Sequence, residues 1–292
     1  MIENTPLLTV NDLSVTFPSP KGDVRAVNNV SFSMGREKIG IVGESGSGKS
    51  VTGRAVLRLL PPYAGVSASQ ISFKGKNLMD FSEKQMRKIR GMEISMVMQD
   101  PKYSLNPVRP VGEQISEAYT IHHKAGKKQA RQKTLDMLKA VRIRNPAQVY
   151  GLYPHEVSGG MGQRIMIAMM LIPKPSLLIA DEPTSALDVT VQLQILAILD
   201  DLVSERGMGL IFISHDLELV SSFCDRVIIM YGGQIMEMVE AGNLHKSNHP
   251  YTEGLLSCLP KIDGTQDHLP TLVRDDAWLK PVPGHVHKEA GS

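Results

Sequence analysis

The 292-residue chain is poor in cysteine and aromatics, with two Cys, one Trp and six Phe. Neither Cys224 nor Cys258 has a second cysteine at metal-ligand or redox spacing, which argues against a cysteine-built centre and for a reducing compartment. No stretch reaches the roughly 18 apolar residues of a spanning helix. The first eight residues lack a cationic region followed by an apolar run, so no secretory leader is expected and the chain by itself is expected in the cytosol. Excess charge of either sign is also missing. The 32 Lys plus Arg face 30 Asp plus Glu, which leaves no broad positive field for a nucleic-acid backbone or an anionic membrane. No internal repeat is visible. His122 with His123, and His285 with His287, have no further ligands nearby in sequence, and solvated surface positions are expected for them. What is present is an ordinary globular composition, 42% hydrophobic and 21% charged, in a chain long enough for one large core or two modest ones.

Short runs that alternate apolar and polar side chains, such as Leu13, Val15, Phe17 and then Val30, Phe32, Met34, have the period of half-buried strands over the first seventy residues. An apolar strand over 39–42 then feeds into glycines, and 49–60 reads as a helix stopped by Pro61 and Pro62. A charged helical pattern covers 80–90 and a buried strand 94–98. Residues from about 101 to 153 read as helices with basic faces, interrupted by Pro107, Pro110 and Pro146, in the manner of an inserted helical subdomain. Strand-like segments at 177–180, 210–214 and 227–230 alternate with helical stretches, which predicts an α/β fold with a mostly parallel sheet covered on both faces. Beyond Gly242 the composition shifts to His, Pro, Asp and Lys, and an extension of the main domain is expected there.

Gly43-Glu44-Ser45-Gly46-Ser47-Gly48-Lys49-Ser50 fits G-x-x-x-x-G-K-[ST], whose glycines let backbone N–H groups close around phosphate oxygens at a helix N-terminus. Lys49 would neutralise the β- and γ-phosphates of ATP and the Ser50 hydroxyl would ligate Mg²⁺. The strand over 177–180 delivers Asp181 and Glu182 to the sheet end where nucleotides sit. Asp181 is expected to hold Mg²⁺ and Glu182 to orient or deprotonate the attacking water. Ser158-Gly159-Gly160 opens an apolar helix to about Leu171 with an N-cap and exposed backbone amides, a second anion site suited to the γ-phosphate held by another subunit's loop. Gln99 and His215 each close a strand and could reach Mg²⁺ or the γ-phosphate.

The order of these parts resembles the nucleotide-binding subunits of ATP-binding cassette (ABC) transporters, over residues from about 7 to 240. The resemblance implies a P-loop NTPase core of RecA-like type, an N-terminal antiparallel β subdomain and a helical subdomain at about 101–156, all within residues 1–242. It makes residues 43–50 the phosphate loop continuing into Val51, Gln99 the Q-loop glutamine and a Mg²⁺ contact, and Val157 with Ser158, Gly159, Gly160 and Met161 the signature. It makes Asp181 the Mg²⁺ aspartate, Glu182 the catalytic glutamate, Ser185-Ala186-Leu187-Asp188 the D-loop and His215 the switch histidine. Phe17 falls where the family stacks an aromatic on adenine. Met161 stands where the signature usually has glutamine, a change that ATPases of the branch identified next often carry.

Tyr153-Pro154-His155-Glu156 and His249-Pro250-Tyr251-Thr252 with Leu255 and Leu256 look like the dipeptide, oligopeptide and nickel importer branch. That branch implies a second ATPase subunit, a paralogue or a copy of this chain, and two membrane permease subunits. An extracytoplasmic solute-binding protein would act indirectly, and this chain would sit peripherally on the cytoplasmic face of the bacterial inner membrane. The segment after Gln99, residues 100–107, would receive the permease. Residues 243–292 would be the branch's C-terminal extension. Its cysteine cluster is missing here, so no iron–sulfur centre is expected. Di- or oligopeptides lead as the solute, with nickel or opine-like ligands as alternatives. A soluble ABC ATPase acting on ribosomes or DNA is the reading from another class.

Overall fold

The computed structural model describes residues 5–99, 104–185, 187–258, 275 and 278. Two sheets stack over a shared core. The first is antiparallel, with strands β1 Leu8–Phe17, β2 Val24–Met34, β4 Gly65–Ser67, β5 Gln70–Phe73 and β6 Lys76–Asn77 in the order β2-β1-β5-β6, β4 pairing with β1. The second contains β3 Lys38–Val42, β7 Ile94–Val97, β8 Leu177–Asp181, β9 Gly209–Ile213, β10 Arg226–Tyr231 and β11 Gln234–Glu240, in the order β11-β10-β3-β9-β8-β7. All its pairings are parallel except β10 with β11. The expected α/β fold with a mostly parallel sheet is what the chain adopts.

The period of two along each parallel strand assigns its side chains to opposite cores. Leu178, Ala180, Leu210, Phe212, Val227 and Ile229 face one core with helices α3 Val111–His123, α4 Lys127–Ala140, α6 Gly159–Leu171 and α7 Val189–Arg206. Leu177, Ile179, Ile211, Ile213 and Ile228 face the other, with the antiparallel sheet and α1 Lys49–Val56. Because both faces are covered, the strands are continuous apolar runs rather than alternations of apolar and polar. The remaining helices are α2 Glu83–Ile89, α5 Pro146–Val149, α8 Leu217–Phe223 and α9 Pro250–Ser257. Among the described residues no helix is long and apolar enough to cross a membrane.

Three sequence expectations change. The helix expected over 49–60 stops at Val56, because Arg58 turns into left-handed backbone with φ 50°. The Arg58 guanidinium donates there to the carbonyls of Met79 and Phe81, while Arg90 donates to the carbonyls of Leu57 and Arg58. The tertiary bonds end the helix before either proline does. Second, β11 is an additional strand, joined to β10 by Gly232 and Gly233, both at positive φ, the two-residue turn that hairpins favour. Third, His122 and His123 are half-buried rather than freely solvated: burial lowers the His122 pKa, and the His123 ring lies on Tyr119 and pairs through Nε2 with the Pro173 carbonyl.

The central strand β3 tolerates no side chain at Gly40, where a Cβ would lie 1.9 Å from Val220 Cγ1 of α8. Gly40→Ala is expected to cost about 1–3 kcal/mol through overpacking, visible as a fall of several degrees in the thermal melting midpoint.

Candidate functional site

Strands β3, β9, β8 and β7 run parallel, so their carboxyl ends share one edge and the loops that follow converge there. β3 ends in the glycine loop, β9 in Ser214 and His215, β8 in Asp181 and Glu182, and β7 leads through Met98 to Gln99. Register holds the edge together: Asp181 is opposite Ile213, and the backbone N–H groups of Glu182 and Ser214 donate to the carbonyls of Ile213 and Ile41.

The loop after β3 requires glycine on steric grounds. At Gly43, φ is 153° and a Cβ would come 2.0 Å from the Met230 carbonyl oxygen; at Gly48, φ is 97° and a Cβ would come 2.5 Å from the Ala26 carbonyl oxygen. The conformation brings two loop carbonyls onto the Lys49 ammonium, which donates to Gly43 O and Glu44 O at 2.8 Å each. Burial lowers the Lys49 pKa, while Glu182, Asp181 and Glu44 favour its charge. Gly48 provides no side-chain cap for α1, so the first amides of that helix remain directed at the loop's interior, with the positive end of the helix dipole behind them. The set suits a phosphate chain. Val51 on α1 packs on the core beneath the antiparallel sheet.

One residue further on, the Ser50 hydroxyl donates to Asp181 Oδ1 at 2.6 Å. Arg54, one turn along α1, reaches Asp181 Oδ2 at 3.5 Å, and its Nε–H is buried with no acceptor. Burial raises the Asp181 pKa against the Ser50 hydroxyl and the Arg54 charge, which hold it down. A half-buried hydroxyl beside a buried carboxylate is a hard oxygen pair. It fits Mg²⁺, which takes one or two protein oxygens and fills its remaining positions from phosphate and water. Among the described residues no group of three or more His, Cys, Asp and Glu side chains is placed to form an all-protein metal cage.

Glu182 lies at φ 47°, a strained conformation for a residue with a Cβ. Its carboxylate is met from two sides: Gln99 Nε2 donates to Oε2 at 3.0 Å, and His215 Nδ1 lies 3.6 Å from Oε1. Ser185 Oγ donates to the Glu182 carbonyl at 3.3 Å and accepts from Gln99 at 3.4 Å. The residues expected at the site from three separate strand ends thus meet on one carboxylate.

Ser158, Gly159, Gly160 and Met161 belong to a different neighbourhood. Ser158 caps α6 by accepting from the Met161 N–H at 3.3 Å. A Cβ on Gly159 would lie 4.0 Å from Leu187 Cδ2, and one on Gly160 2.7 Å from Val191 Cγ1, so the segment packs on the start of α7. Of the D-loop residues, Asp188 caps α7 by accepting from the Val191 N–H at 3.0 Å, and Ala186 lies outside the described residues. Phe17 ends β1 edge-on to Tyr63, their centroids 6.5 Å apart. Sequence reasoning missed Tyr63, Arg54 and the contact of Tyr251 with the loop. The first two carry no motif signal. Tyr251 stood in a motif that sequence alone could not connect to residues 43–50.

The chain is similar to known proteins along most of its length. The ABC transporter family model matches residues 27–185. A probable peptide ABC transporter ATP-binding protein of Sinorhizobium fredii is 48% identical over 270 residues, 91% of this chain and 81% of that protein. The oligopeptide transport ATP-binding proteins OppD of Bacillus subtilis and Escherichia coli are 46% and 45% identical over 268 and 279 residues. Those matches span 91% and 95% of this chain and 75% and 82% of the relatives. Among solved structures, cbiO1 of Clostridium perfringens, part of the ABC transporter complex cbiONQ, matches with TM-score 0.70 and 26% identity. That match covers 84% of this chain and 92% of cbiO1. A dimeric ATP-binding cassette in a post-hydrolysis state, bound to ADP and Pi, shares the fold with TM-score 0.72 at 24% identity, over 80% of this chain and 98% of its own.

Lys49→Ala deletes the cation in the loop while leaving the loop's glycines in place. It is expected to weaken nucleotide binding at least about tenfold, measured by equilibrium titration with a fluorescent ATP analogue.

Proposed function

This chain belongs to the ABC transporter family, and we propose that it is the ATPase subunit of a bacterial importer that couples MgATP binding and hydrolysis to uptake of di- or oligopeptides. The observation that carries the mechanism is the Glu182 carboxylate, held between Gln99 and His215 beside the Ser50–Asp181 pair. The peptide assignment is supported by the names of the relatives, which are peptide and oligopeptide transport ATP-binding proteins.

Lys49 exchanges the Gly43 and Glu44 carbonyls for phosphate oxygens, while loop amides between Ser45 and Val51 close on the remaining phosphate charge. Ser50 and Asp181, with the amide oxygen of Gln99, would hold Mg²⁺, which would supply charge neutralisation for the phosphate oxygens. Glu182 orients the attacking water or takes its proton, and Gln99 and His215 keep its carboxylate aimed. Phe17 stacks on the adenine.

Ser158, Gly159, Gly160 and Met161 act on the nucleotide of a second ATPase subunit, whose own signature completes this chain's site. The paired subunits sit beneath two permease subunits, peripherally on the cytoplasmic face of the inner membrane, and a solute-binding protein supplies the peptide from outside. The permease contact is assigned to residues 100–107, of which 100–103 lie outside the described residues. The C-terminal extension of residues 243–292 is described to residue 258 and at residues 275 and 278, and Cys258 is the single cysteine in its sequence.

Glu182→Gln is expected to keep ATP affinity while lowering steady-state turnover of the assembled transporter by roughly 10²- to 10⁴-fold. Unchanged turnover would sink the assignment. Affinity purification of the tagged chain is expected to bring down two membrane permeases, and recovery of ribosomes or DNA in their place would overturn the importer reading.

A further inference from the structure

His249-Pro250-Tyr251-Thr252 has no part in the mechanism so far, yet it reaches the phosphate loop. Tyr251 is fully buried near the start of α9. Its ring lies on Tyr231 with centroids 4.7 Å apart, and on Trp278 at 5.5 Å. The backbone beneath it is fixed as well. The Tyr251 N–H donates to His249 Nδ1 at 3.2 Å, and Thr252 Oγ1 donates to Glu237 Oε2 of β11 at 2.8 Å. Ser247 Oγ donates to the same carboxylate oxygen. The helix start is therefore tied to the β10–β11 hairpin, and that hairpin touches the loop again where the Gly233 N–H donates to Ser47 O.

From this mount the Tyr251 hydroxyl accepts the backbone N–H of Glu44 at 3.3 Å. The carbonyl of the same peptide unit, Gly43 O, accepts the Lys49 ammonium. In a trans peptide the C=O and N–H point in opposite directions, so Lys49 holds this peptide on one side and Tyr251 on the other. When Lys49 turns to a phosphate, the carbonyl side of the grip is released. A peptide that follows a glycine has little conformational preference of its own, and any freedom it regains must be removed again for the ligand to be cradled.

We propose that Tyr251 is a positioning residue for nucleotide binding, keeping the Gly43–Glu44 peptide oriented while Lys49 transfers from the loop carbonyls to phosphate. The inference rests on the ATPase reading and extends the site to a segment of the chain some two hundred residues away in sequence.

The test uses the full chain and isothermal titration with ATP and ADP. Tyr251→Phe keeps the ring and removes the hydroxyl. Losing one such bond is expected to weaken both nucleotides roughly 3- to 10-fold. A packing role would instead move two other readouts, both expected to stay unchanged in the nucleotide-free variant: the melting midpoint and the emission of Trp278, the one tryptophan in the chain. Tyr231→Phe, which removes a hydroxyl from the same aromatic cluster, is expected to leave affinity unaltered. Unchanged or tighter binding by Tyr251→Phe would overturn the proposal. So would a loss of affinity matched by an equal loss in Tyr231→Phe, or by a lowered melting midpoint of the free chain. If the unaltered chain binds neither nucleotide, the ATPase reading falls and this inference with it.

Discussion

A buried ammonium organises the centre of this molecule. Removing a lysine charge from water is costly unless partners replace its hydration, and Lys49 is 5% exposed. Two loop carbonyls replace part of that hydration, and they can do so only because Gly43 and Gly48 adopt backbone that a Cβ would forbid. The carboxylates of Glu182, Asp181 and Glu44 supply the remainder as charge. Two of those carboxylates arrive from a strand far away in sequence, so satisfying one cation requires the parallel sheet to be in register. The ammonium thus has partners without any ligand, and in the proposed mechanism a phosphate chain enters by exchanging with contacts that are present.

The sheet answers that demand through topology. Four parallel strands, each feeding a loop at the same edge, bring Gly43, Gln99, Asp181, Glu182 and His215 together although they span more than 170 residues. A strand end also constrains the residue that follows it. The Glu182 N–H is committed to Ile213 O and its φ is 47°, so the carboxylate is aimed by strained backbone as well as by Gln99 and His215. Strain of this kind, on the order of 1–3 kcal/mol, persists only where neighbours over-determine it. Here the neighbours are two buried strands.

Much of the fold was legible in the sequence because its strands are apolar runs bounded by glycine or a polar residue, and its helices open on identifiable caps such as Ser82, Ser158, Asp188 and Asp216. The phosphate loop was legible because its sterics leave few residue choices. Other features depend on distance in space. The end of α1 is set by Arg58 and Arg90 reaching carbonyls from other elements, and no local propensity reports that. Arg54 looks like any helical arginine until the fold sets it against Asp181. The β10–β11 hairpin carried a readable signal, Gly232-Gly233 between two apolar runs, and was overlooked because the second run is only half-buried.

The proposed mechanism asks for a physical link between residues 43–50 and 158–161, and the described residues include contacts along one. Ser185 Oγ bonds the Glu182 carbonyl, and the Leu187 N–H bonds the Thr184 carbonyl. Leu187 then lies near Gly159, and Val191 lies beneath Gly160 closely enough that a Cβ there would come within 2.7 Å of it. In the proposed mechanism these contacts, on either side of Ala186, give a shift at Glu182 a route to the N-terminus of α6. Close packing transmits displacement of this kind instead of absorbing it. In the proposed dimer that N-terminus faces the other subunit's nucleotide, so the contacts that aim the carboxylate in one site also set the position of the clamp on the second.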